Sequence, residues 1–181
     1  MTNQDKPTQP QLANIDTYRF TSSFTKRTMK AWGKRDRERY GRSPWTPLGK
    51  PLRDCKIALI STAAIALKTD TPFDQQGERD NPWWGDPTFR RLPASATAEN
   101  ATVYHLHINT DFAHENLNTV LPLASLHELA AQGFVGQVAE THYSFMGYIL
   151  EPEKELLSET TPAIIAGLQA EQVDGVVLVP V

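Results

Sequence analysis

The segment Cys55-Lys-Ile-Ala-Leu-Ile-Ser61 constrains this chain more than any other. A short apolar run of this kind predicts a strand buried on both faces, which needs layers above and below it. Thr102-Val-Tyr-His-Leu-His-Ile108 alternates and predicts a second strand. Pro122 suits the first residue of a helix, with Leu123, Leu126, Leu129 and Ala130 on one face and Gly133 at its end. Thr161-Pro162 opens another helix, carrying Ile164, Ile165 and Leu168. Asp174-Gly175 then turns the chain into a third apolar strand, Val176-Val-Leu-Val-Pro-Val181. Residues 69–100 are rich in Pro, Asp, Asn and Gly around Trp83, Trp84 and Phe89. They read as a long loop, and long ordered loops are often functional. The order strand, loop, strand, helix, helix, strand predicts an α/β fold, a mostly parallel sheet with flanking helices. The final segment stops at the carboxyl edge of what reads as a buried parallel strand, where open α/β sheets place their ligands, with no covering helix after it. The expectation is therefore an incomplete domain.

Length and composition limit the function classes. The 181 residues suffice to bury a core, and the single cysteine rules out an internal disulfide framework. No apolar stretch approaches the ~18 residues of a membrane span. The opening Met1-Thr-Asn-Gln-Asp-Lys-Pro is polar, unlike a signal peptide. The expectation is a soluble, cytoplasmic protein without a membrane partner. No GxGxxG or GxxxxGK[ST] pattern occurs, so a nucleotide fingerprint is absent.

Charge divides the chain. Residues 1–54 hold 12 Lys/Arg against 5 Asp/Glu, and residues 55–181 hold 6 against 16, which together give the net −3. Residues 1–14, polar with Pro7 and Pro10, are expected to be disordered. Ile15 to Tyr40 reads as a helix stopped by Gly41. Phe20, Phe24, Ala31 and Trp32 fall near one face, with Lys26, Arg27, Lys30, Lys34 and Arg35 over much of the rest. Ser43 to Pro51 reads as an extended, Pro-rich linker. The expected divisions are a disordered 1–14, a basic helical arm and linker at 15–53, and an α/β domain at 54–181. The arm either packs on an acidic domain of its own or a neighbouring chain, or contacts an anionic surface. Nucleic acid is the weaker partner, because charged helices are usually solvated faces.

Two groups of residues have the chemistry of a site. His105 and His107 alternate, with Asp111 and His114 following shortly after. Their spacing matches no zinc signature, and no HExxH or Cys pair accompanies them, so hydrogen-bonded histidines outweigh a metal centre and no metal is assigned. Thr141-His-Tyr-Ser-Phe-Met-Gly-Tyr148 combines an acid/base, hydroxyl donors and aromatics between two helices, without helical or strand periodicity. The composition leaves two readings open. In one the segment lines a pocket, with His142 as general acid and Tyr143 or Ser144 as donors. In the other it is a structured loop whose aromatics plug the core and whose polar groups bond the backbone. Cys55, at the amino end of its strand, reads as a small hydrophobe. Ser144 lacks the GxSxG elbow, and no hydrolase triad can be assembled.

Pro44-Trp-Thr-Pro-Leu48, the first strand ending in Ser61-Thr62, Asp70 to Phe73, Gly85-Asp-Pro-Thr-Phe-Arg90, Asn118-Thr-Val-Leu-Pro122 and above all Thr141 to Tyr148 occur in this order. Together, from about Pro44 to Val181, they resemble the glycine/sarcosine/betaine/D-proline reductase selenoprotein B family, most of all its D-proline reductase side. The resemblance implies an oxidoreductase that reductively cleaves a carbon–nitrogen bond of an amino-acid-like substrate. A selenolate attacks the carbon alpha to a carbonyl derivative, displaces the amine, and is regenerated by a thiol reductant.

In that family the strand matching Asp174 to Val181 is followed by a selenocysteine and further α/β structure. The resemblance thus implies an amino-terminal part cut just before its nucleophile and inactive alone. On this reading His142 is the expected catalytic residue, Tyr143, Ser144 and Tyr148 bind substrate, and His105, His107 and Asp111 bind substrate or assist proton transfer. It implies no cofactor in this chain, a selenocysteine in the full-length protein, room for a pyruvoyl group on a partner subunit, and a homo- or hetero-oligomer. Where relatives often carry a Gly-Gly-Val-His type sequence, this chain has Ala63-Ala-Ile-Ala66. Two rival readings stand beside this one: an α/β protein that binds a small ligand without chemistry, and an adaptor that holds anionic partners through the basic arm.

Overall fold

The computed structural model describes residues 22–41, 46–81, 83–147, 149, 151 and 153–181. The chain divides into two units, Met1–Thr46 and Pro47–Val181. In the first, helix α1 spans Ser23–Tyr40. Ser22 caps it, its hydroxyl accepting the Thr25 amide at 3.1 Å. Gly41 ends it at φ +72°, a left-handed conformation that glycine adopts without a Cβ penalty, and its amide returns to the Arg37 carbonyl at 3.0 Å. Phe24 is 79% exposed, and Met29 and Trp32 are exposed as well. The expected disordered stretch 1–14 and the helix start at 15–21 lie outside the described residues.

The second unit is built on the predicted first strand. A 3₁₀ turn at Leu52–Asp54 leads through Cys55 into β1, Lys56–Ser61, and β2 follows at Ile65–Leu67. Helix α2, Gln75–Asp80, and strand β3, Phe89–Pro93, come next. Strand β4 is Ala101–Val103, and helices α3, Asp111–Glu115, and α4, Leu123–Ala131, precede β5, Gln137–Val138, and β6, Thr141–Phe145. Helix α5, Glu153–Glu155, runs through one π turn, Leu156–Thr160, into α6, Thr161–Ala170, and β7 closes the order at Gly175–Val179.

The main sheet is α/β in character and mostly parallel. β1 pairs in parallel with β5 and β6 on one edge and with β7 on the other, and β3 adds antiparallel to β6. One face carries Ile57, Leu59 and Leu92 into a core shared with Leu121, Leu123, Leu126 and Val103. The other packs Ile60 and Tyr143 against Ile164 of α6. The approach there is close: a Cβ on Gly167 would stand 2.1 Å from the Tyr143 hydroxyl, so only glycine fits.

Three elements differ from the sequence expectation, each for a physical reason. The strand expected over Thr102–Ile108 is only Ala101–Val103, and it pairs with β2 in a separate antiparallel ribbon. The ladder ends just past the in-register bond from the Tyr104 amide to the Ala64 carbonyl at 3.0 Å, where the His105 ring takes the His107 amide at 3.1 Å. The long loop 69–100 contains α2 and β3. Asp74 starts the helix by accepting the Gln76 and Gly77 amides, both at 3.0 Å, a cap that substitutes for an apolar stripe. Thr141–Tyr148, read as aperiodic, forms β6 over Thr141–Phe145, and its polar residues are buried rather than solvated. α6 opens at Thr161-Pro162 as expected, and the chain enters it through the helical turn α5 and the π turn that start at Glu153. Proline lacks an amide hydrogen, and the wide turn just before it absorbs the break.

The predicted third strand forms but is not buried: Leu178 is 70% exposed, and Val176 and Val177 are also exposed. Among the described residues β7 pairs with β1 alone. Its start is fixed by Asp174, whose carboxylate accepts the Lys56 amide at 2.7 Å and pairs with Lys50 at 2.8 Å.

Candidate functional site

The carboxyl edge of β1 is where the sheet's polar groups converge. Between the pairs Lys56↔Gln137 and Ile60↔Tyr143 the register slips by two residues, which interrupts the ladder at Ala139 and Glu140. Every amide displaced there must find another acceptor. The Ala139 amide reaches the Ile57 carbonyl at 2.9 Å, and the Glu171 carboxylate takes the amides of Glu140 and Thr141. The Leu59 amide is accepted by Nδ1 of His142 at 2.9 Å. His142 therefore substitutes for a backbone carbonyl. Its ring is fully buried, and its Nε2 makes no hydrogen bond among the described residues. Burial pushes its pKa down to about 4, against the charge of Glu171, so the ring is neutral near pH 7.

Ser144 is equally committed. Its hydroxyl donates to the Ser61 carbonyl at 3.0 Å and accepts the Ile65 amide at 2.8 Å. Ser61 does the same one step away, donating to the Val120 carbonyl at 2.7 Å and accepting the Ala63 amide at 3.2 Å. Strand alternation puts His142 and Ser144 on one face and sends Tyr143 to the other, against α6. Burial raises the Tyr143 pKa. The three residues therefore do not share one pocket wall. Tyr148 lies outside the described residues.

Beyond Ser61 the chain makes a tight connection. Thr62 accepts the Val181 amide on its hydroxyl at 2.8 Å and the Gly147 amide on its carbonyl at 2.9 Å, and a Cβ on Gly147 would meet Thr62 at 2.6 Å. Ala64 adopts φ 52° and accepts the Tyr104 amide. This bond brings the 104–107 turn to the sheet edge. Gln75 of α2 then donates to the Tyr104 carbonyl at 2.7 Å, and Phe73 tilts against the Tyr104 ring with centroids 6.2 Å apart.

Here the structure assembles a cluster that the sequence only half disclosed. Glu78, whose side chain is 1% exposed, stands with Oε1 2.8 Å from Nε2 of His107, a ring 47% exposed. His105 is buried, and its ring lies edge-on to that of His107 with centroids 5.8 Å apart. Because Nδ1 of His105 accepts the His107 amide, the proton of its neutral ring sits on Nε2. Burial, and then the charge of His107, lowers the His105 pKa. Burial raises the Glu78 pKa, against the opposing charge and hydrogen bond of His107 and the charge of Arg79. Oε2 of Glu78 has no hydrogen-bond partner among the described residues. Trp84 packs so closely on Gly77 that a Cβ there would lie 2.6 Å from its ring, which fixes α2 and with it Glu78.

A buried carboxylate holding an imidazole that solvent can reach is an arrangement for moving protons. Asp111, by contrast, begins α3, its amide accepted by the Asn109 side chain at 3.0 Å. Among the described residues no three His, Cys, Asp or Glu side chains converge as a metal ion would require. Nor is any described helix long and apolar enough to cross a membrane.

Residues 42–181 match the model of the glycine/sarcosine/betaine reductase selenoprotein B family. The chain belongs to that family. It is also 31% identical over 134 residues to the D-proline reductase subunit gamma of Acetoanaerobium sticklandii, an alignment covering 74% of this chain and 52% of the relative. The chain thus spans about half the length of the curated relative it matches. No solved structure matches it. Glu78 is the residue of this cluster that sequence reasoning missed. It lies in Gln-Gln-Gly-Glu-Arg-Asp, a hexapeptide with no apolar residue to signal burial.

Proposed function

We propose that this chain forms the substrate-handling half of a selenocysteine-dependent reductase that cleaves a carbon–nitrogen bond of an amino-acid-like substrate. Membership of the selenoprotein B family and the likeness to a D-proline reductase subunit support a reductase. The observation that carries the reading is the half-exposed imidazole of His107, held by a buried carboxylate and joined through Tyr104 and Ala64 to the carboxyl edge of the parallel sheet. Open α/β sheets bind their ligands at that edge. The selenocysteine expected after Val181 would enter there, since the Val181 amide is bonded to Thr62 at the same edge.

The chemistry needs a deprotonated chalcogen as nucleophile and an acid for the departing nitrogen. His105 and His107 stand on the substrate side in this reading, while His142 and Ser144 hold the strand edge that positions them. A partner subunit carrying a pyruvoyl group and a thiol reductant complete the system. The test is to express the gene through the codon after Val181 under selenocysteine-incorporating conditions, add the partner subunits and a dithiol, and follow amine release or ring opening. D-proline, glycine, sarcosine and betaine are the substrates to compare. Turnover of one of them that disappears when the codon is changed to a serine codon is the expected result. A TAA or TAG codon at that position, or no turnover of any of the four, overturns it.

A further inference from the structure

Two carboxylates are buried in the second unit, and they are treated very differently. Asp86 uses both oxygens: one accepts the Asp74 amide at 2.9 Å, the other the amide and hydroxyl of Thr88 at 2.9 and 2.5 Å. Glu78 has an ion pair on Oε1 and nothing on Oε2. Burying a carboxylate is costly unless hydrogen bonds replace its water, and Glu78 recovers only part of that cost. A carboxylate with purely structural work would be expected to look like Asp86.

We propose that Glu78 and His107 deliver the proton that carbon–nitrogen cleavage requires, with His107 as the catalytic acid at the departing nitrogen and Glu78 positioning its ring. The proposal rests on the reductase reading and deepens it. An uncharged amine nitrogen would depart as an anion, a poor leaving group, so it must gain a proton as its bond breaks; the quaternary nitrogen of betaine departs neutral and needs none. The selenolate lone pair forms the carbon–selenium bond while the carbon–nitrogen pair stays on nitrogen, which takes the proton of the His107 imidazolium. His107 is left neutral, and Glu78 neither gains nor loses a proton in the step. The ring then regains a proton from water through its exposed side. A thiol of the reductant later attacks selenium, and the carbon leaves with the electron pair and takes a second proton from solvent.

The electrostatics fit this cycle. Oε1 of Glu78 faces Nε2 of His107 at 2.8 Å, opposite in charge to the ring whenever it carries its second proton. Arg79 lowers the Glu78 pKa as His107 does, and His105 feels the charge of His107. His105 supports the ring edge-on, and its Nδ1 fixes the backbone of His107.

The experiment uses the full-length selenocysteine-containing reductase with its partner subunits, and compares wild type with His107→Asn and Glu78→Gln. Two rates are measured: carbon–nitrogen cleavage (amine release or ring opening) of the best substrate other than betaine, and alkylation of the selenolate by iodoacetamide, whose iodide departs without a proton. Expected is a loss of kcat for cleavage of about 100-fold in His107→Asn and about 10-fold in Glu78→Gln, with KM little changed and alkylation at the wild-type rate. Cleavage within twofold of wild type in both variants overturns the proposal. So does a parallel fall in alkylation, which would mark a structural role. A wild-type enzyme that neither cleaves substrate nor reacts with iodoacetamide removes the reductase reading itself, and that outcome is visible before any substitution is made.

Discussion

His142 with Ser144, and Glu78 with His107, are two polar groupings, the first buried throughout and the second open on the His107 side, and they spend their hydrogen bonds in opposite ways. The first pair serves the backbone: His142 takes an amide the slipped register leaves over, and Ser144 ties two segments together. The second pair serves mainly itself, since Glu78 pairs with His107 and keeps an oxygen in reserve. The contrast teaches that a buried polar residue is a candidate for chemistry when its bonding capacity is not already consumed by the chain.

Substitutions break or sharpen that contrast in a definite order. His142→Ala should cost most, about 3–5 kcal/mol in chemical denaturation, because it opens a cavity and orphans the Leu59 amide. A cost under 1 kcal/mol would remove the strand-holding role. The same ring makes stability fall with acid. Its folded pKa of about 4 lies below the ordinary 6.5, so the unfolded chain takes up the proton first. Its contribution is complete above pH 6.5 and is lost as pH falls to 4, by about 3 kcal/mol. His142→Asn should flatten that part of the pH profile. Next comes Ser144→Ala, which should cost about 1–3 kcal/mol by stranding the Ile65 amide. Glu78→Gln should change stability least, within about 1 kcal/mol and in the favourable direction near neutral pH, because it removes a buried charge. A loss above 2 kcal/mol there would place Glu78 with the strand-holding residues and erase the distinction.

The sequence announces what is apolar and conceals what is polar but buried. β1, α4 and β7 are legible because Ile57, Leu59, Leu123, Leu126 and Val176 to Leu178 carry unambiguous patterns. β6 is not, because His142 and Ser144 occupy inward positions and look like loop residues until their backbone partners are known. His105 and His107 were found together through their alternation, yet a turn, not a strand, brings their rings side by side. Glu78 gave no local signal. Its burial is produced by Trp84 from one side of the chain and by the 104–107 turn from another, and such tertiary cover leaves no trace in six consecutive polar residues.

Glu171 sits just past the last turn of α6 but grips the first amides of the strand on the other side of the slipped register. The helix end and the strand start are therefore expected to open together. Solvent deuterium should reach the Glu140 and Thr141 amides only when the helix frays, which makes those two protons a reporter of events on the far side of the sheet.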